Sequence, residues 1–141
     1  MSIAAVVEHG FELKLSYARA RLAEVERMRQ VYLASLDGMP QREIAQFAHL
    51  SQPSVHRLVA RARVLGAEHE SLEEIVLRRF VEDSSPDEMV ERLISFENWV
   101  PRIADPVDGV LAEDSQQALE DLLEDGFISE EEIDRVLDAR G

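Results

Sequence analysis

The sequence lacks cysteine and threonine, and Lys14 is the single lysine among its 15 basic residues. Without cysteine the chain has no disulfide framework and no thiol chemistry, which fits a reducing cytoplasm. Its first residues lack the basic start and long apolar run of a secretory signal, and no apolar stretch approaches the ~20 residues needed to span a bilayer. We therefore expect a cytoplasmic protein that has no membrane partner.

Motifs for catalysis and metal binding are also missing. The carboxylates occur mostly at helical surface spacing, no serine or histidine is placed beside them as a nucleophile, and there is no glycine-rich phosphate loop. The four histidines are scattered without ligand spacing. Residues 121–132 have part of the spacing of a calcium-binding EF-hand loop, but Leu123 occupies a ligand position. We expect a protein that is not an enzyme and has no cofactor or metal.

Charge divides the chain into two parts. Residues 1–65 contain nine basic and six acidic residues, a net charge of +3, whereas residues 66–141 contain six basic and 23 acidic residues, a net charge of −17. Such an asymmetry indicates two partners with different surfaces. We predict a first domain at residues 1–66 and an acidic partner-binding region at residues 67–141.

Residues 41–64 have the pattern of a helix-turn-helix. The apolar positions that would close the two helices on each other are Ile44, Ala45, Ala48, Leu50, Val55, Leu58, Val59 and Ala62. Ser51 is a good N-cap for the second helix, with Pro53 in its first turn. His49 stands where the turn usually carries glycine because the backbone φ is positive there, and histidine tolerates that conformation better than most residues.

The stretch REIAQFAHLSQPSVHRLV resembles the helix-turn-helix of sigma-factor C-terminal regions, DNA resolvases and small bacterial regulators. The likeness covers residues 38–63. It implies a DNA-binding fold and leaves the rest of the chain unaccounted for.

The outward positions of the second helix supply the predicted contacts to double-stranded DNA. Gln52 and Arg57 are the predicted base readers, because Gln and Arg make bidentate contacts to adenine and guanine edges. Pro53 and His56 share that outward surface. The residues predicted to bind phosphates are Gln41, Arg42, Ser54, Arg61 and Arg63. The alternative is a helical hairpin with a few solvated arginines.

A long helix is predicted at residues 11–36, before the helix-turn-helix. Its heptad-like stripe comprises Phe11, Leu15, Ala18, Leu22, Val25, Tyr32 and Leu36. A two-helix reading head can cover only part of such a stripe. The part of the stripe that stays uncovered predicts a homodimer, because helix-turn-helix proteins often need two DNA-binding units, one for each half-site. In the alternative, the C-terminal half covers the stripe.

The C-terminal half is predicted to be helical as well, so the fold class is all-α. Helices are expected at residues 68–81, from Ser85 onward, and at 115–124 and 129–139. A loop at residues 96–106 separates them. Phe96, Trp99 and Phe127 are candidate partner-binding residues, with a core position as the alternative for the tryptophan.

Three classes of function fit these features, and we favour the first. An N-terminal DNA-binding head followed by an acidic segment resembles an antitoxin, which implies repression of its own operon and neutralisation of a basic toxin. The second class is a dimeric transcriptional regulator without a toxin partner. The third is an adaptor that binds a polymerase or nuclease through its acidic surface.

Overall fold

The computed structural model describes residues 1–102 and 114–141, and all regular secondary structure in those residues is α-helical. The helices are α1 (Ile3–Leu36), α2 (Gln41–Ala48), α3 (Gln52–Leu65), α4 (Leu72–Glu82), α5 (Pro86–Ile94), α6 (Ser115–Glu124) and α7 (Glu130–Arg140). The predicted all-α class is confirmed. They form two compact units, an N-terminal unit (Met1–Ser71) and a C-terminal unit (Leu72–Gly141).

Helix α1 begins eight residues earlier than its apolar pattern predicted. Ser2 is the N-cap, and its hydroxyl accepts a hydrogen bond from the Ala5 amide at 3.1 Å. Gly10, the residue just before the predicted helix of residues 11–36, lies inside α1. A single glycine costs a helix about 1 kcal/mol without ending it, so a good cap upstream outweighs it.

The core of the N-terminal unit draws on all three of its helices. Its buried members are Met28, Val31, Tyr32, Ile44, Ala45, Val55, Val59, Ala62 and Ala67. Of the predicted α1 stripe, Ala18, Val25 and Tyr32 are buried, whereas Phe11 and Leu36 are more than half exposed. The stripe is therefore buried only in its middle, and Tyr32 belongs to the core that α1 shares with α2 and α3.

The N-terminal unit extends beyond the predicted boundary at residue 66. The Ala67 side chain is buried in its core. Arg29 of α1 donates hydrogen bonds to the carbonyl oxygens of Ala67, at 2.7 Å, and His69, at 2.9 Å. Residues 67–69 therefore belong to the first unit, and α4 starts at Leu72 rather than at Glu68.

The C-terminal unit is built from α4 to α7. Helix α4 packs against α5 and α6, and α7 also packs against both, so the four helices form a closed arrangement. Serine caps start two of them: Ser85 accepts from the Glu88 amide in α5, and Ser129 forms a complete capping box with Glu132 in α7. These caps are at the serines that the sequence pattern indicated.

Candidate nucleic-acid interface

The turn between α2 and α3 has the conformation that a helix-turn-helix requires. His49 adopts φ 55° and ψ 46°, in the left-handed region, and its amide donates to the Ala45 carbonyl oxygen. Ser51 then caps α3, accepting from the Ser54 amide at 3.2 Å. Three residues, 49–51, separate α2 from α3, and α3 packs against both α1 and α2. The predicted positive φ at His49 and the predicted Ser51 cap are confirmed.

Solvent reaches nearly all of the predicted DNA-contact side chains. Gln41, Arg42, Gln52, Pro53, His56, Arg57, Arg61 and Arg63 are exposed, and Ser54 is half-buried. The exposed side chains of α3 lie opposite its buried residues, Val55, Val59 and Ala62. An exposed polar surface on a short, well-capped helix can enter the major groove of DNA.

Two helices contribute to one surface. Gln41, at the start of α2, lies with its Nε2 3.5 Å from Nδ1 of His56 in α3. Fifteen residues separate the pair along the chain. The start of α2, where phosphate contacts were predicted, is therefore adjacent to the outward surface of α3.

Ser54 has a different position from the one expected of a simple phosphate contact. Its hydroxyl accepts from Nη2 of Arg57 at 3.2 Å and lies 2.8 Å from the hydroxyl of the cap residue Ser51. In the free protein Ser54 thus orients the Arg57 guanidinium near the start of α3. A preorganised arginine loses less conformational entropy when it binds a base edge.

The cations of α3 lie on two flanks. At 3.6 residues per turn, Arg57 and Arg61 are about 40° apart around the helix axis, whereas Arg63 lies about 120° from Arg57. Arg63 instead shares a flank with His56. One row of side chains continues from Pro53 through Arg57 to Arg61, and the other runs from Gln52 through His56 to Arg63.

Positive charge is concentrated in residues 41–65, which include the outward surface of α3. Residues 41–65 contain four arginines and one acidic residue, Glu43, for a net charge of +3. The whole N-terminal unit has nine basic and eight acidic residues, a net charge of +1, because Glu68 and Glu70 belong to it. Phosphate attraction therefore depends on the local arginines rather than on the charge of the unit.

Sequence reasoning missed Arg27 of α1. This exposed residue lies with its Nη2 3.5 Å from the carbonyl oxygen of Ala48, at the C-terminal end of α2. It lines a groove together with Arg57 and Arg61. Spacing within α1 carries no signal for this arrangement, because it depends on how α1 packs against α3.

Two of the predicted partner-binding residues, Phe127 and Trp99, make contacts within the C-terminal unit. Phe127 is only 5% exposed, and its ring meets that of Phe80 edge-on with centroids 5.1 Å apart. Trp99 is half-buried, and the Arg140 guanidinium lies over its ring, 4.3 Å from the centroid. Burial argues against Phe127 as a surface anchor, because an aromatic hot spot must reach the partner.

Arg140 also donates to the carbonyl oxygens of Leu93 and Ile94 at the end of α5. Trp99 and Arg140 therefore join the end of α7 to the end of α5. Phe96 is half-buried. Residues 103–106 of the predicted loop lie outside the described part of the chain.

The described residues offer neither a metal cluster nor a membrane-spanning helix. Residues 1–102 and 114–141 contain no group of three or more His, Cys, Asp or Glu side chains that could hold a metal ion. In the same residues, no helix is both long enough and apolar enough to cross a bilayer. Comparison with protein-family models, with curated proteins and with solved structures gave no match for this chain.

Proposed function

We propose that this protein is a cytoplasmic regulator that binds double-stranded DNA sequence-specifically through α3. One observation carries the proposal: a capped helix with an exposed Gln/Arg surface follows a left-handed turn and packs on α1 and α2. In this proposal Gln52 and Arg57 read bases, and Gln41, Arg42, Arg61 and Arg63 bind phosphates. Pro53 and His56 pack along the major groove of the DNA, and Ser54 positions the Arg57 guanidinium.

The test begins by selecting binding sites for the full chain from a randomised duplex library. Fluorescence anisotropy then measures affinity for the selected site and for an unrelated duplex. Arg57→Ala should weaken binding to the selected site by about 1–3 kcal/mol and leave the unrelated duplex nearly unaffected. Arg19→Ala, an exposed arginine of α1 away from the proposed surface, is the matched control.

If wild type and Arg57→Ala bind the selected site with equal affinity, Arg57 does not read a base. Failure to enrich any sequence would contradict the proposal as a whole. Equal losses on both duplexes would make Arg57 a phosphate contact.

We further propose that the chain acts as a homodimer, so that two copies of α3 contact half-sites one helical turn apart, roughly 34–36 Å centre to centre. Ile3, Val7 and Leu13 of α1 are 83%, 65% and 71% exposed, which supplies apolar surface for a second copy. Light scattering after size exclusion should give twice the 16.0 kDa chain mass. A selected site without two-fold symmetry would contradict the dimer.

A second candidate function is antitoxin activity, in which the C-terminal unit neutralises a basic toxin and the N-terminal unit represses the operon. The supporting observation is that 21 acidic and six basic residues, a net charge of −15, belong to a separately packed unit. Complementary charge accelerates association with a cationic partner. A basic protein encoded beside this chain should inhibit growth alone and be harmless when co-expressed with it.

Two results would favour the remaining alternatives, one from this co-expression and one from the Arg57→Ala variant. Growth inhibition that this chain does not relieve would favour a regulator without a toxin. Retention of biological function by Arg57→Ala would favour an adaptor, which does not need DNA recognition.

A further inference from the structure

A groove in the N-terminal unit is lined by apolar side chains and by arginines. Its volume is about 450 Å³. Its apolar lining residues, here called the apolar floor, are Met28 of α1, Leu50 of the turn and Leu58 of α3. Its charged and polar lining residues, here called the rim, are Arg27, Arg57 and Arg61, together with Glu24 and Ser54.

We propose that this groove binds a small organic anion. The apolar body of the ligand would lie on Met28, Leu50 and Leu58, and its acidic head group, a carboxylate, sulfonate or phosphate, would pair with the arginines. This site goes beyond the proposed DNA reading, because its floor and Arg27 are outside the DNA-contact set.

Size and polarity select this class of ligand. Small-molecule sites typically have volumes of roughly 300–1,000 Å³ and a mostly apolar lining with a few placed polar groups. A bare inorganic anion would satisfy the arginines and leave the apolar floor in contact with water. A neutral apolar molecule would cover the floor and leave the arginines without an anion.

The charges of the rim favour an anion. Three arginines and Glu24 give the lining a net charge of +2. Glu24 also lies 3.7 Å from Nη1 of Arg21, which partly compensates its charge from outside the groove. A cationic ligand would therefore be repelled.

The arginines retain donors for a head group. Arg57 gives an Nη2 donor to Ser54, and a guanidinium has five N–H donors in all. The contact of Arg27 with the Ala48 carbonyl oxygen is 3.5 Å, at the long limit of a hydrogen bond. Charge-assisted pairing with an acidic head group would be stronger than this contact.

Occupation of the groove has a consequence for DNA binding, and this step rests on the proposed function. Arg57 and Arg61 line the groove and also belong to the proposed DNA surface. A bound anion would neutralise both and draw Arg57 away from the outward surface. The ligand and the DNA site should therefore compete.

The test uses naphthalene-2-sulfonate as the probe, with uncharged 2-naphthalenemethanol as its matched control, on the full-length protein. Titration followed by ¹⁵N NMR should give saturable shifts at the amides of Met28, Leu50 and Leu58. A Kd of about 1 mM or tighter is expected for a ligand of this size. The neutral alcohol should bind at least about fivefold more weakly.

Arg27→Ala is the deciding variant, because Arg27 is exposed and alanine is a strong helix former, so the fold is retained. It should weaken probe binding about five- to tenfold, whereas Arg19→Ala should leave it unchanged. Equal probe affinity in Arg27→Ala and wild type would overturn the site. Shifts confined to residues 3–13, or spread over the whole chain, would also overturn it.

Failure of this inference is distinguishable from failure of the DNA proposal. A chain that binds its selected duplex but shows no saturable shift in the groove refutes the ligand site alone. A chain that binds the probe with the expected Arg27 dependence, but no duplex, supports the ligand site and refutes the DNA proposal. Where both bind, the probe should release wild type from its duplex and release Arg27→Ala much less.

Discussion

The boundary between the two units makes a sharp prediction about truncation. A fragment of residues 1–71 should fold, whereas a fragment of residues 1–66 should be much less stable. The five-residue difference removes the buried Ala67 side chain and both carbonyl acceptors of Arg29. It also removes the hydrogen bond from the Ala67 amide to the Ala62 carbonyl oxygen, 3.0 Å long, at the C-terminal end of α3.

The magnitude follows from those contacts. Burial of the Ala67 methyl group contributes about 0.8 kcal/mol. A hydrogen bond from a charged donor contributes about 1.5–3 kcal/mol, and the bond to His69 is discounted because it is solvent-exposed. The sum is about 2–4 kcal/mol. A domain of this length has a total stability of roughly 4–10 kcal/mol, so the loss is a large fraction.

Urea denaturation of both fragments, followed by circular dichroism at 222 nm, measures the difference. With a slope of about 1–1.5 kcal/mol per molar urea, the midpoints should differ by roughly 2 M. In the full chain, Arg29→Met keeps the apolar stem and should cost about 2 kcal/mol through the lost hydrogen bonds alone. Equal midpoints for the two fragments would refute the assignment of residues 67–69 to the first unit.

Three further predictions concern single features. Ser51→Ala should destabilise the N-terminal unit by about 1 kcal/mol in thermal denaturation, and Ser51→Asp should restore most of that stability because Asp also caps helices. Phe127→Ala should lower the stability of the C-terminal unit by about 3–5 kcal/mol, and a loss below 1 kcal/mol would contradict its core position. Arg42→Ala should reduce the slope of log affinity against log salt by about 1 on every duplex, and an unchanged slope would remove Arg42 from the phosphate contacts.

Local rules were sufficient to predict the turn between α2 and α3. The cap at Ser51, the proline in the first turn of α3 and the left-handed His49 each depend on neighbours within four residues. The buried positions Ile44, Val55 and Ala62 follow from the helical period. This is why the candidate interface was recognisable while the start of α1 was misplaced: Gly10 is a local signal that a distant cap overrides.

Contacts between distant residues were not predictable from spacing. Arg29 contacts carbonyl groups 38 and 40 residues away, and Arg140 reaches α5 carbonyls 46 and 47 residues away. Each arginine alone has the appearance of a solvated charge on a helical surface. Backbone carbonyl acceptors carry no residue-type signal, so only the packing of the helices identifies them. The same limit applies to Arg27 and hence to the groove.

The distribution of charge constrains how such a protein would find a DNA site. The chain carries a net charge of −14, so its long-range field repels a duplex, and this repulsion extends about 10 Å at 0.1 M salt. Attraction must then come from the few arginines of residues 41–65 at short range. This repulsion adds a similar unfavourable free energy to specific and to non-specific binding, because both place the same protein charges beside the same phosphates. A strongly acidic second unit would thus lower both affinities by a similar factor, and the discrimination between sites would come from the base contacts.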